Sequence, residues 1–215
     1  MKFKAAIFDL DGTLLDSMGI WSNLCREFLL RHAINDDIDL DSKLGVISMR
    51  NALEYLIREF ELAVSLDDAC TETWQIIDDF YRTKAAVKPG VKGILDRLQE
   101  NAVPCGVITA TEYGLVMPAL ERAGLTGYFR NVFSCADMQT SKRSPEIFFR
   151  MSELLGAAPA ETLVFEDALY AAATAKKAGY AVAAVYDPSE KSPAQLKETA
   201  DWYCQSWDEL PLEIL

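Results

Sequence analysis

The chain has 215 residues, half of them hydrophobic, and a net charge of −12. That length holds one full domain, or one domain with a small insertion, and the apolar share suffices for a proper core. The acidity argues against a nucleic-acid backbone or an anionic membrane surface as partner, and no apolar run approaches the roughly 20 residues of a membrane span. The opening MKFKAAIFDLDG lacks the apolar stretch of a signal peptide. Cys25, Cys70, Cys105, Cys135 and Cys204 are scattered, with no Cys-x-x-Cys spacing and no histidine partners. They read as reduced core thiols of a cytoplasmic protein rather than as zinc ligands.

The first element is Ala5–Phe8, a short apolar run that reads as a buried strand, and Asp9 and Asp11 stand where it should end. Burying an unpaired charge is expensive. Two acids at a strand's carboxyl end therefore point to a held cation and to chemistry, against the plainer reading of an Asp-capped turn before Gly12-Thr13. From Met18 the rhythm is helical. Ile20, Trp21, Leu24, Phe28 and Leu29 share one face; so do Met49, Leu53, Leu56, Ile57 and Phe60; so do Cys70, Trp74, Ile77 and Tyr81 in a helix from about Leu66. The acidic stretch Asp36–Asp41 imitates a calcium loop, but Ser42 and Ser48 stand where that loop needs Gly and Glu, and it reads as a solvated linker.

From Lys88 strands and helices alternate. The pattern predicts a helix over Val91–Asn101, a strand over Val103–Thr109, a helix over Glu112–Ala123 and a short strand over Asn131–Ser134. A helix then opens with Ser144 as cap and Pro145 in its first turn. Strand Thr162–Phe165, helix Ala168–Ala178, strand Ala181–Val185, helix Pro193–Thr199 and an edge strand over Trp202–Cys204 follow. This is the signature of an α/β fold, a Rossmann-like parallel sheet covered by helices on both faces. The core domain comprises 1–15 and 86–215, and 16–85 is an inserted all-helical cap domain. Ligands in such sheets bind outside the carboxyl edge. There the strand ends supply Asp9, Asp11, Thr109, Glu166 and Asp167, and Lys142 lies on the loop after the third strand of the sheet.

AAIFDLDGTLLDS over 5–17, then Thr109, Lys142 and Glu166-Asp167, match in order the motifs of the haloacid dehalogenase-like (HAD) superfamily, which is mostly phosphohydrolases. The chain resembles that superfamily over nearly its whole length, and the helical insertion directly after the first motif resembles the β-phosphoglucomutase-like branch. The resemblance implies a magnesium-dependent phosphatase of a small phosphorylated metabolite that works through an aspartyl-phosphate. In it, Asp9 is the nucleophile and Asp11 the general acid and base. Thr109 and Lys142 contact the phosphoryl oxygens, and Asp9, Asp11 (through its carbonyl), Asp167 and Glu166 hold the magnesium. In the cap, Arg50 is a candidate grip on a second anionic group and Trp21 a candidate stacking surface; the plainer readings are a solvated helix arginine and a cap-core tryptophan. His32, the single histidine, is given no catalytic role. The expected partner is the small-molecule substrate, and the expected state a monomer or weak dimer.

Two other functions fit the same motifs. One is a β-phosphoglucomutase-type phosphosugar isomerase, which Trp21 disfavours by standing where that mutase has a cap-side histidine, and Thr13 by standing where it has an aliphatic residue. The other is a non-catalytic protein that binds a phosphorylated ligand. Asp11 argues against a dehalogenase or a phosphonatase. The chain departs from the family pattern at Arg143, where a proline is usual, at Ala168, where Ser or Asp is common, and at Ala171, where Gly is common.

Overall fold

The computed structural model describes residues 2–35, 40 and 48–211; the acidic stretch read as a linker lies, apart from residue 40, outside the described residues. The chain divides into two compact units, Met1–Ser17 with Ala85–Leu215, and Met18–Lys84. The strands are β1 Ala5–Phe8, β2 Leu15–Asp16, β3 Ala86–Val87, β4 Cys105–Thr109, β5 Phe129–Ser134, β6 Thr162–Glu166, β7 Ala181–Val185 and β8 Trp202–Cys204. Among the described residues the helices of the first unit are α4 Val91–Glu100, α5 Tyr113–Ala123, α6 Glu146–Leu155, α7 Leu169–Lys177 and α8 Pro193–Thr199, and the second unit includes α1 Met18–Arg31, α2 Met49–Glu59 and α3 Leu66–Thr83.

Six strands form one parallel sheet in the order β5-β4-β1-β6-β7-β8. Successive side chains of a strand face opposite sides, and the two faces of this sheet are filled by different elements. Ala5, Ile7, Val164, Val182 and Ala184 meet Ile147, Phe148, Met151 and Leu155 of α6, Ala172 and Ala175 of α7, and Leu196 of α8. On the other face Phe8 stacks on Phe165 with centroids 4.5 Å apart, and both rings contact Trp207. Each such buried ring is worth roughly 2–3 kcal/mol of transfer free energy, and they lie where β1 and β6 run side by side. Register then sets the chemistry. Phe8 pairs with Val107 on one side and Phe165 on the other, so Asp9 emerges beside Glu166, and the Asp9 amide donates to the Phe165 carbonyl at 2.9 Å.

The structure differs from the sequence reading in a few places. β5 begins at Phe129, whose ring packs edge-on against Phe8 at 5.9 Å. Ser144 does not cap α6: its hydroxyl bonds to the Glu146 carboxylate, while the Phe148 and Phe149 amides use the Pro145 carbonyl. A two-residue antiparallel ladder, Leu15 with Val87 and Asp16 with Ala86, was not foreseen. It is too short to leave a periodic signal.

In the helical unit α3 packs against α1 and α2. Ser48 and Ser65 cap α2 and α3, accepting from the amides of Asn51 and Asp68. The buried stripe of α3 is Ala69, Thr73, Ile76, Ile77 and Tyr81. Trp74, which the sequence places on that face, is 48% exposed. One residue is about 100° of helix rotation, and the small Thr73 takes the packed position in its stead. Met49 is likewise exposed.

Candidate active site

Three carboxylates converge past the ends of β1 and β6. One oxygen from each of Asp9, Glu166 and Asp167 lies within 4.8 Å of the others, and all three residues are buried. Lys142, itself 3% exposed, donates to Asp9 Oδ1 and, at 2.6 Å, to Glu166 Oε1. Asp167 Oδ1 accepts from the Thr13 hydroxyl at 2.8 Å. The loop after β5 thus delivers its lysine to two strand ends that are adjacent in the sheet though far apart in sequence.

With all three acids ionised, three carboxylates against one ammonium would put two net negative charges in a buried space. Burial pushes the Glu166 carboxyl up to about 7, with the Asp9 charge adding to the rise and Lys142 opposing it. Burial, then repulsion from Asp9 and Glu166, raises Asp167 well above the ordinary carboxylate range. Burial alone would favour loss of the Lys142 proton, but the Asp9 and Glu166 carboxylates outweigh it and hold the lysine above its usual range. The residual charge is that of a divalent cation's counter-ions, and every donor is a hard oxygen, the set preferred by magnesium, calcium or manganese. The residues present fit such an ion.

Asp11 is held separately. Its Oδ1 accepts from Ser17 Oγ at 2.6 Å, and its Oδ2 from Thr111 Oγ1 at 2.7 Å and Thr109 Oγ1 at 3.3 Å. Thr109 Oγ1 also accepts from the Thr111 amide at 3.0 Å. The hydroxyl assigned to phosphoryl oxygens is therefore turned towards Asp11 in this state. Arg50 and Trp21 both lie in the helical unit. Arg50 pairs with the exposed Asp67 at 3.1 Å, and the Trp21 indole donates to the Tyr81 hydroxyl at 3.3 Å. His32 bonds to Glu72 at 2.9 Å.

The sequence profile of the haloacid dehalogenase-like hydrolases matches residues 6–185. The chain belongs to that family. Among its relatives, validoxylamine A 7'-phosphate phosphatase of Streptomyces hygroscopicus subsp. limoneus is 30% identical over 185 residues, covering 82% of this chain and 83% of the relative. Hexitol phosphatase A of Escherichia coli is 29% identical over 197 residues, covering 88% and 86%. A Thermotoga maritima structure named provisionally as a β-phosphoglucomutase shares the fold with a TM-score of 0.83, at 23% identity over 96% of this chain and 95% of that one.

Within this HAD hydrolase the departures from the family pattern have visible settings. The Arg143 guanidinium lies 4.7 Å from the centre of the Tyr170 ring. Ala168 precedes α7 and sends its amide to Glu166 Oε2 at 3.3 Å, and Ala171 is fully buried. The sequence reading passed over Ser17 and Thr111 as ligands of Asp11, and Thr13 as the donor to Asp167. A second hydroxyl two residues past the Thr109 strand end was the available signal for Thr111; Thr13 and Ser17 sit inside the first motif itself.

Proposed function

We propose that this HAD hydrolase is a magnesium-dependent phosphatase of small phosphorylated metabolites that forms an aspartyl-phosphate on Asp9. The observation that carries the reading is the buried Asp9–Glu166–Asp167 group with Lys142 set into it at the carboxyl edge of the sheet. Asp9 and Asp167, with Glu166 and the Asp11 carbonyl, would hold the metal, which supplies the positive charge that lets a phosphate dianion approach a carboxylate. The Asp9 carboxylate attacks phosphorus while the bond to the alcohol oxygen breaks, and Asp11 gives that oxygen its proton. Water then attacks the aspartyl-phosphate, Asp11 takes a proton from it, and inorganic phosphate leaves with Asp9 regenerated. Ser17 and Thr111 aim the Asp11 carboxyl, and Lys142 offsets charge on the phosphoryl oxygens once these displace its contact to Asp9.

Relatives named as a hexitol phosphatase and a validoxylamine A 7'-phosphate phosphatase support a polyol-like alcohol as leaving group. The test is phosphate release from p-nitrophenyl phosphate and a panel of sugar and polyol phosphates, with magnesium and then with EDTA. Magnesium-dependent release that Asp9→Asn abolishes is expected. Release unaffected by EDTA, or full activity in Asp9→Asn, overturns the proposal. Conversion of a hexose 1-phosphate into its 6-phosphate without net release identifies a mutase instead.

A further inference from the structure

The loop that follows Asp11 is held from outside by two distant segments. Inside the loop, Gly12 adopts φ +86°, its amide bonds to the Leu15 carbonyl, and the Leu14 and Leu15 amides both bond to the Leu10 carbonyl. None of these bonds uses the carbonyls of residues 12, 13 and 14, which are satisfied from outside the loop. The Lys88 ammonium takes the Gly12 carbonyl, the Trp207 indole takes the Thr13 carbonyl at 3.1 Å, and the Lys88 amide takes the Leu14 carbonyl at 2.9 Å. Lys88 is itself fixed by the Tyr186 carbonyl at 3.0 Å and by the buried Asp187 carboxylate at 2.8 Å. The two clamping segments touch. A Cβ on Gly90 would stand 2.7 Å from Trp207 Cβ and 2.9 Å from Asp208 Oδ1, so only glycine lets them close.

Trp207 also packs on Phe8 and Phe165, the residues immediately before Asp9 and Glu166. Through the Thr13 backbone it supports the hydroxyl that bonds to Asp167. One buried indole therefore underlies all three acids of the cluster. We propose that Lys88 and Trp207 are positioning residues of the catalytic centre: they pin three successive carbonyls of the loop, and through the Thr13 hydroxyl they aim the Asp167 carboxylate. The catalytic consequence rests on the phosphatase reading above; the loop clamp itself does not.

The experiment compares wild type with Trp207→Phe, which keeps an aromatic ring and removes the donor. Amide hydrogen exchange of the metal-free protein reads the loop directly, and calorimetric titration with magnesium reads the aim of Asp167. Faster exchange over residues 9–16, unchanged exchange over α5, and magnesium affinity weakened about tenfold are expected, the usual scale for losing a support of a metal ligand. The kcat on p-nitrophenyl phosphate should fall with KM nearly unchanged. Loop exchange and magnesium affinity equal to wild type overturn the proposal, whatever happens to the melting temperature, since a merely structural tryptophan would lower that alone. If Trp207→Phe does not fold, Lys88→Met combined with Asp187→Asn releases the Gly12 carbonyl without stranding a buried charge, and the same criteria apply. Wild-type protein that neither binds magnesium nor cleaves a phosphoester defeats the phosphatase reading, while the exchange comparison still decides the clamp.

Discussion

Without a bound metal this protein should be more stable in mild acid than at neutral pH, the reverse of the usual carboxylate behaviour. Glu166 holds its proton up to about 7 in the folded state against an ordinary value of 4.5, because burial and the Asp9 charge disfavour its anion. Between those values the native state binds a proton that the unfolded chain has lost, so stability falls as pH rises through the window. Two and a half units at about 1.4 kcal/mol each come to roughly 3–4 kcal/mol, or roughly 6–16 °C of melting temperature for a chain of this size. Asp167 is raised too, by burial first and then by Asp9 and Glu166, and acts in the same direction. Two other buried charged groups with shifted titration act outside the window. The Lys88 contact depresses Asp187 against the opposing effect of burial, so its contribution is lost only as pH falls below about 4. Lys142 is raised, so its contribution is constant up to about pH 10 and falls only above that. The assay is thermal melting in EDTA from about pH 5 to pH 8, repeated with excess magnesium. The metal should flatten or invert the slope, because it binds the deprotonated acids. A melting temperature in EDTA that is level or rises between pH 5 and pH 7 refutes the charge count of the cluster.

Three further outcomes follow from named contacts. Asp9→Asn should lower turnover at least about a thousandfold while the protein stays folded, since an amide keeps the shape but is no nucleophile; single-turnover phosphate release checks it. Lys142→Met should destabilise the metal-free protein by about 3–5 kcal/mol near pH 8, because buried acids lose their counter-ion, with the deficit shrinking towards pH 5; urea melts in EDTA measure both. Thr111→Val removes the 2.7 Å bond to Asp11 Oδ2 and should reduce kcat about 10- to 100-fold with KM little changed, the worth of one hydrogen bond to a charged group; steady-state kinetics on p-nitrophenyl phosphate decide it.

What the sequence disclosed and what it hid divide along a physical line. The parallel sheet was legible because each strand is a short apolar run between helices of different period, and a one-residue error at an end, as at Phe129, costs nothing in topology. Asp9, Glu166 and Asp167 were legible because they break a rule: acids do not sit at the ends of buried strands unless something there needs them. Helix phase was less secure. Trp74 was placed on the packed face because large apolar residues usually are, yet the packed line of α3 runs one residue away through Ala69 and Thr73.

The residues that hold the acids in place break no rule, and that is why they were silent. Thr13, Ser17 and Thr111 are ordinary hydroxyls in a loop. Lys88 and Trp207 direct their donors at main-chain carbonyls, and a carbonyl has no letter of its own, so no spacing or residue type in the sequence could announce the pairing. Their partners become visible only when the sheet brings residues 12–14 against residues 88 and 207. The acids then mark where phosphoryl chemistry is proposed, and the surrounding donors decide how firmly those acids are aimed. A change at Trp207, remote in sequence from every acid, should therefore be read in magnesium affinity before it is read in fold.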